Sequence, residues 1–230
     1  MTVPLENLKL AGLYPFLAAD RQDPARLEQQ LLESVRQKAS ESVAVKQRFF
    51  GECAVQVVAT AQALAAVYAR GGRLYTMGNG GSSCDSAHIA VEFQHPVTAG
   101  RPALPAIDLA NDTAMLTAVG NDVGFEHVFL RQVIALVRPG DALIGVSTSG
   151  NSANLLLAFS AAKRQGATTI GLAGGDGGKM RSHPDIDHCL VAPSDSIHRV
   201  QETHVAIYHI LWDLTHSLLA DTRGCAAKDA

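Results

Sequence analysis

Between Arg73 and Val191, short apolar runs alternate with longer stretches of helical periodicity, an order that few architectures accommodate. Residues 73–77, 104–109, 142–146, 168–172 and 189–191 are short and apolar at successive positions, as in strands buried on both faces. Helices are predicted between them over 82–93, 112–119 with Asn111 as cap, 125–137, and 152–165 with Gly166 as its stop. A closing helix is predicted over 197–219. Strands that alternate with helices form parallel sheets covered on both sides. The class implied is α/β, a doubly wound five-stranded parallel sheet flanked by helices, which binds ligands at the carboxyl ends of its strands.

Two long helices are predicted before the first strand. One begins at Pro24 and carries Leu27, Leu31, Leu32 and Val35 at helical spacing; the other covers 43–68 and stops at Gly71-Gly72. Residues 1–23, with Pro4, Gly12 and Pro15, read as an N-terminal arm, 24–222 as one domain and 223–230 as a tail. A net charge of -3 gives no electrostatic footprint for nucleic acid or an anionic membrane. The 4 cysteines are widely separated, which suits reduced thiols in a cytoplasmic protein. No secretory leader is apparent, and no wholly apolar run approaches the roughly 20 residues of a membrane span.

Two strand-to-helix turns have the chemistry of anion sites. Gly78-Asn79-Gly80-Gly81-Ser82-Ser83 allows backbone N–H groups to approach a ligand closely at a helix start. Ser147-Thr148-Ser149-Gly150-Asn151-Ser152 adds hydroxyls at a second helix start. Phosphate oxygens only accept hydrogen bonds, so neutral donors hold a phosphate without a lysine. Neither turn has the glycine spacing of a dinucleotide fingerprint or the Gly-Lys-Ser/Thr of a nucleotide-triphosphate loop. Beyond the first turn, His88 and Glu92 stand four residues apart on one helix face, a spacing that serves either a metal or acid–base chemistry.

These turns, with Val119-Gly120-Asn121-Asp122, Asp176-Gly177-Gly178-Lys179-Met180 and Val200-Gln201-Glu202-Thr203-His204, resemble the sugar isomerase (SIS) fold, flavodoxin-like in form. Within it, the chain is most similar to the sedoheptulose 7-phosphate (phosphoheptose) isomerases. The resemblance implies an aldose–ketose isomerase that makes D-glycero-D-manno-heptose 7-phosphate through an enediol, on the route to ADP-heptose. It implies Glu92 as base, His209 as proton partner, and His88, Glu92, Gln201 and His209 as ligands of one zinc per subunit. Asn79, Gly80, Gly81, Asn121, Asp122, Ser147, Thr148, Ser149, Ser152 and Gln201 are the implied contacts to the sugar phosphate. His198 and His204 are assigned structural or peripheral places.

Gln201 and His209 are eight residues apart, so a helix separates them by about 12 Å of rise. Zinc holds its donors in a compact tetrahedron, which favours a site assembled from different protomers of a homo-oligomer, a tetramer by family resemblance. Family members often continue Leu-Thr-Gly-Arg after the glutamate. Here Phe93-Gln94-His95-Pro96 follows, and Arg101 is the nearest arginine downstream. Two alternatives stand beside the heptose assignment: an isomerase of another ketose phosphate, and a non-catalytic SIS relative of the kind that binds the replication initiator DnaA.

Overall fold

The computed structural model describes residues 24–226, with side chains from 25 to 220. The predicted arm and the last residues of the tail lie outside the described residues. The chain divides into two compact units, one ending at Glu41 and one beginning at Ser42. In the first, the described residues are helical, and Leu27, Leu31, Leu32 and Val35 are exposed. The second contains the whole sheet.

The first helix, α1, runs unbroken over Pro24–Ala69 where two helices are predicted. No glycine or proline falls between Ala25 and Phe50, so nothing interrupts the main-chain ladder. By length and composition α1 could cross a bilayer: its most apolar 18-residue window has a mean hydropathy of 1.4. Its later turns instead place Val57, Ala61, Leu64 and Val67 in the protein core.

The remaining elements are β1 (Leu74–Gly78), α2 (Gly81–Gln94), β2 (Ala106–Asp108), α3 (Thr113–Asp122), α4 (Val128–Leu136), β3 (Ala142–Ser147), α5 (Ala153–Arg164), β4 (Thr168–Gly174), β5 (His188–Ala192) and α6 (Ile197–Ala226). All five strands are parallel in the order β2-β1-β3-β4-β5. This is the doubly wound sheet expected from the sequence.

Several boundaries move for local reasons. β2 keeps only three of its six predicted residues. Pro105 just before it has no N–H to give, although its carbonyl accepts from Leu74 N at 3.0 Å. α3 is capped by Asp112, whose side chain accepts from Met115 N, and not by Asn111. The helix predicted over 125–137 opens with a 3-10 turn, Phe125–His127, before α4. α6 continues past Leu219.

Alternate strand positions supply two cores. Leu74, Ile144, Val146, Ile170 and Leu172 face α1, α2 and α6 with Ile89, Phe93, Ile207 and Leu211. Tyr75, Met77 and Leu143 face the other way, with Phe129, Leu155 and Phe159 from α4 and α5. Each fully buried large side chain contributes about 1.5–3 kcal/mol, so the two layers together fix the sheet between them. Gly145 makes that packing possible on β3: a Cβ there would lie 2.5 Å from Phe159 Cζ.

His204 ties α6 to the sheet, its Nε2–H donating to Ala173 O at 2.9 Å. The ring is fully buried, and burial pushes its pKa down to about 4 from 6.5, against the pull of that carbonyl. Between those values the unfolded chain binds the extra proton, so the stabilisation is complete above pH 6.5 and is lost as pH falls towards 4. His204→Gln is expected to remove ~3 kcal/mol of this acid sensitivity. Urea midpoints measured at pH 7 and pH 4 check it: the fall between them should be smaller in the variant.

Candidate active site

The carboxyl ends of β1 and β3 lie side by side, with Gly78 in register with Val146. β1 leads into α2 on one face of the sheet and β3 into α5 on the other. A crevice forms where successive crossovers leave in opposite directions, and both Gly/Ser turns lie there. A reciprocal amide pair joins them. Asn79 Nδ2 donates to Asn154 Oδ1, and Asn154 Nδ2 donates to Asn79 Oδ1, each at 2.9 Å.

Asn154 is buried and was not singled out from the sequence. A buried amide in the first turn of an otherwise apolar helix is the signal that marks it. Asn154→Ala is expected to cost ~1–3 kcal/mol, because it strands the Asn79 amide. It should also weaken inorganic phosphate binding; urea unfolding and titration calorimetry read the two effects.

Within the second turn, the Ser147 and Ser152 hydroxyls lie 3.0 Å apart. Ser152 therefore does not cap α5, and Gly80 provides no side-chain cap for α2. Two uncapped helix starts thus meet at the crevice, each favourable for an anion. The segment after β4 braces the Ser turn: Met180 N donates to Gly150 O at 3.0 Å and Lys179 N to Asn151 Oδ1 at 3.1 Å. Gly150 must be glycine, since φ is +64° and a Cβ would lie 2.0 Å from Gly177 O. A cleft of about 410 Å³ opens along this edge, bounded by Thr148, Ser149, Gly174, Asp176, Asp195 and Val200.

α6 lies along α2, matched at three levels. The Gln201 amide rests against Gly81, where a Cβ would be only 2.4 Å from Nε2. His88 Nδ1 meets Tyr208 OH at 2.8 Å. Trp212 Nε1 donates to Glu92 O at 2.8 Å. At the middle level, His88 Nε2 is 3.1 Å and His209 Nε2 is 4.0 Å from Glu92 Oε1. One donor atom from each of these three residues lies within 4.8 Å of the other two.

Two imidazoles and a carboxylate are ligands of the type zinc takes, and bonds of ~2 Å place tetrahedral donors ~3.3 Å apart. The residues therefore fit a metal after a small closing movement. His88 offers Nε2 as a ligand when its proton sits on Nδ1 and is donated to Tyr208. Burial, and then the charges of Asp85 and Glu92, push the Tyr208 pKa up, so its phenol stays neutral. Asp85, one turn before His88, is raised to about 6 by burial, with His88 opposing.

The sequence-derived residues thus fall into three places. Asn79, Gly80, Gly81, Ser147, Thr148, Ser149 and Ser152 form the two turns. His88, Glu92 and His209 form the triad, and Gln201 touches the first turn. Asn121 and Asp122 end α3, exposed and hydrogen-bonded to each other at 2.9 Å. His198 and His95 are exposed, whereas His204 is wholly structural. Asn154, Tyr208 and Trp212 were given no role in a motif-based reading because each acts through a neighbour from a distant part of the chain.

This sheet order, with two glycine- and serine-rich turns at the β1/β3 switch and a His–Glu–His cluster beside them, is that of the SIS fold, and the relatives that share it here are sugar-phosphate isomerases. Residues 39–174 match the family model described as SIS domain. Phosphoheptose isomerase from Trichlorobacter lovleyi is 46% identical over 180 residues, covering 78% of this chain and 91% of that protein. The same enzyme from Solidesulfovibrio magneticus is 42% identical, covering 84% and 93%. The solved phosphoheptose isomerase of Neisseria gonorrhoeae superimposes with a TM-score of 0.76 at 39% identity, covering 81% of this chain and 99% of that one. The chain belongs to the phosphoheptose isomerase family.

Proposed function

We propose that the chain interconverts sedoheptulose 7-phosphate and D-glycero-D-manno-heptose 7-phosphate in the cytoplasm, supplying the ADP-heptose route. The observation that carries this reading is the Glu92 carboxylate held between two imidazoles, 3.1 and 4.0 Å away, beside the phosphate-type turns. Ser147, Thr148, Ser149 and Ser152 hold the phosphate, joined by backbone donors of Gly80 and Gly81 at the start of α2. Asn79 contributes by fixing the two turns to each other. Asn121 and Asp122 are assigned to sugar hydroxyls by family resemblance alone.

In the open-chain ketose, Glu92 removes a proton from C1, and the C2 carbonyl oxygen is protonated by His209, giving the enediol. Loss of the O1 proton and return of a proton to C2 complete the aldose. His88, Glu92, His209 and Gln201 are the proposed zinc ligands. Gln201 must turn from Gly81 to join the other three, unless a partner protomer supplies that donor. Zinc, when bound, polarises the sugar oxygens as a Lewis acid. A carboxylate that ligates a cation is a weaker base, so Glu92 serves the two roles at different moments.

Glu92→Gln and His209→Gln should each abolish turnover of sedoheptulose 7-phosphate while substrate binding stays measurable by calorimetry. Near-normal turnover in either variant contradicts the assigned roles. Turnover of a different ketose phosphate, with none of sedoheptulose 7-phosphate, would reassign the substrate. A homotetramer with sites at its interfaces is proposed for the assembly. A fully active monomer in sedimentation combined with assay would exclude it.

A further inference from the structure

The last turn of a helix leaves carbonyls without partners inside the helix. In α2 three of these are met, the first by the helix's own cap residue and the other two from outside. Val91 O accepts from His95 N, Glu92 O from Trp212 Nε1 and Phe93 O from Leu104 N, each at 2.8 Å. The middle contact concerns chemistry, because the carbonyl belongs to the residue whose carboxylate sits between the imidazoles. Trp212 is on α6, three residues after His209 and on the same helix face. One indole N–H therefore sets the spacing between the turn that bears Glu92 and the turn that bears His209.

The indole is itself held. The Arg101 guanidinium carbon lies 4.5 Å from the centre of the Trp212 ring, and Nη2 pairs with Asp213 Oδ1 at 2.5 Å. The Arg101 side chain is only 22% exposed. Its Nη1 is enclosed, with no hydrogen-bond acceptor among the described residues. An enclosed cation in that position is compensated by the aromatic face and by Asp213. The segment that delivers it is pinned by Leu104 N on Phe93 O, so Arg101 is brought back over the end of α2. A lysine keeps the charge but loses the planar stack.

We infer that Arg101 and Trp212 form a positioning pair for the isomerase site: Arg101 holds the indole, and the indole holds Glu92 in reach of His209. The inference rests on the assignment of Glu92 as base and metal ligand. It is tested in the full chain with Trp212→Phe, which keeps an aromatic face under Arg101 while removing the N–H along with part of the indole's bulk, with Arg101→Lys, and with both together. Trp212→Phe is expected to lower kcat on sedoheptulose 7-phosphate roughly tenfold, as loss of one hydrogen bond's worth of transition-state stabilisation does. KM should stay within about twofold, because the phosphate turns are untouched.

Zinc titrated alone should bind more weakly to Trp212→Phe. Arg101→Lys should show the same pattern in smaller degree. The double variant should be no worse than Trp212→Phe, since Arg101 acts through the indole. Amide exchange over residues 93–95 should speed up in every variant, a readout that needs neither substrate nor metal. Unchanged kcat in Trp212→Phe, or losses that add in the double variant, would overturn the pair. If the wild-type chain does not turn over sedoheptulose 7-phosphate, the proposed substrate is wrong. Unchanged exchange would then overturn the positioning pair on its own.

Discussion

The hydrogen-bonded join between β1 and β3 is the constraint on which the site depends. These strands are neighbours in space but are separated in sequence by α2, β2, α3 and α4. Their pairing through Gly78 and Val146 puts two uncapped helix starts beside each other, one on each face of the sheet. The reciprocal Asn79–Asn154 amides lock the turns at that spacing. Without it, the glycine and serine turns would each be a weak anion site. Together they bring two helix N-termini, each favourable for an anion, to the same crevice.

The triad depends on a second constraint, the close approach of α2 and α6. Gly81 leaves room for Gln201 at one level, Tyr208 meets His88 at the next, and Trp212 meets the Glu92 carbonyl at the third. These matched levels turn two distant parts of the chain into one reaction surface. In the proposed function, the anchoring of substrate and the chemistry on it are carried by different helix pairs, α2 with α5 for the phosphate and α2 with α6 for the proton transfers. α2 alone belongs to both.

Most of the architecture was legible in the sequence because each strand is apolar on both faces, and the turns are punctuated by residues with few other uses. β2 was overestimated because an apolar pattern does not register that Pro105 lacks a donor. α1 was divided because the apolar periodicity lapses between Val35 and Val43, although no glycine or proline stands there. His88 and Glu92 could be seen as a pair, being four residues apart on one helix. His209 could be joined to them only by resemblance, since its approach depends on helix packing rather than local spacing. Asn154 and Trp212 were invisible for the same reason: their partners are 75 and 120 residues away.

The short outer strands bear on how copies of this chain can associate. β2 has three residues and follows Pro105, and β5 has five and is followed directly by Pro193. An edge so brief and so bounded offers little ladder for another chain to extend, which protects the sheet against runaway edge-to-edge growth. Assembly is left to surfaces made of side chains, where fit rather than backbone pairing selects the partner. Closed oligomers of defined size follow more readily from such surfaces than open fibres do.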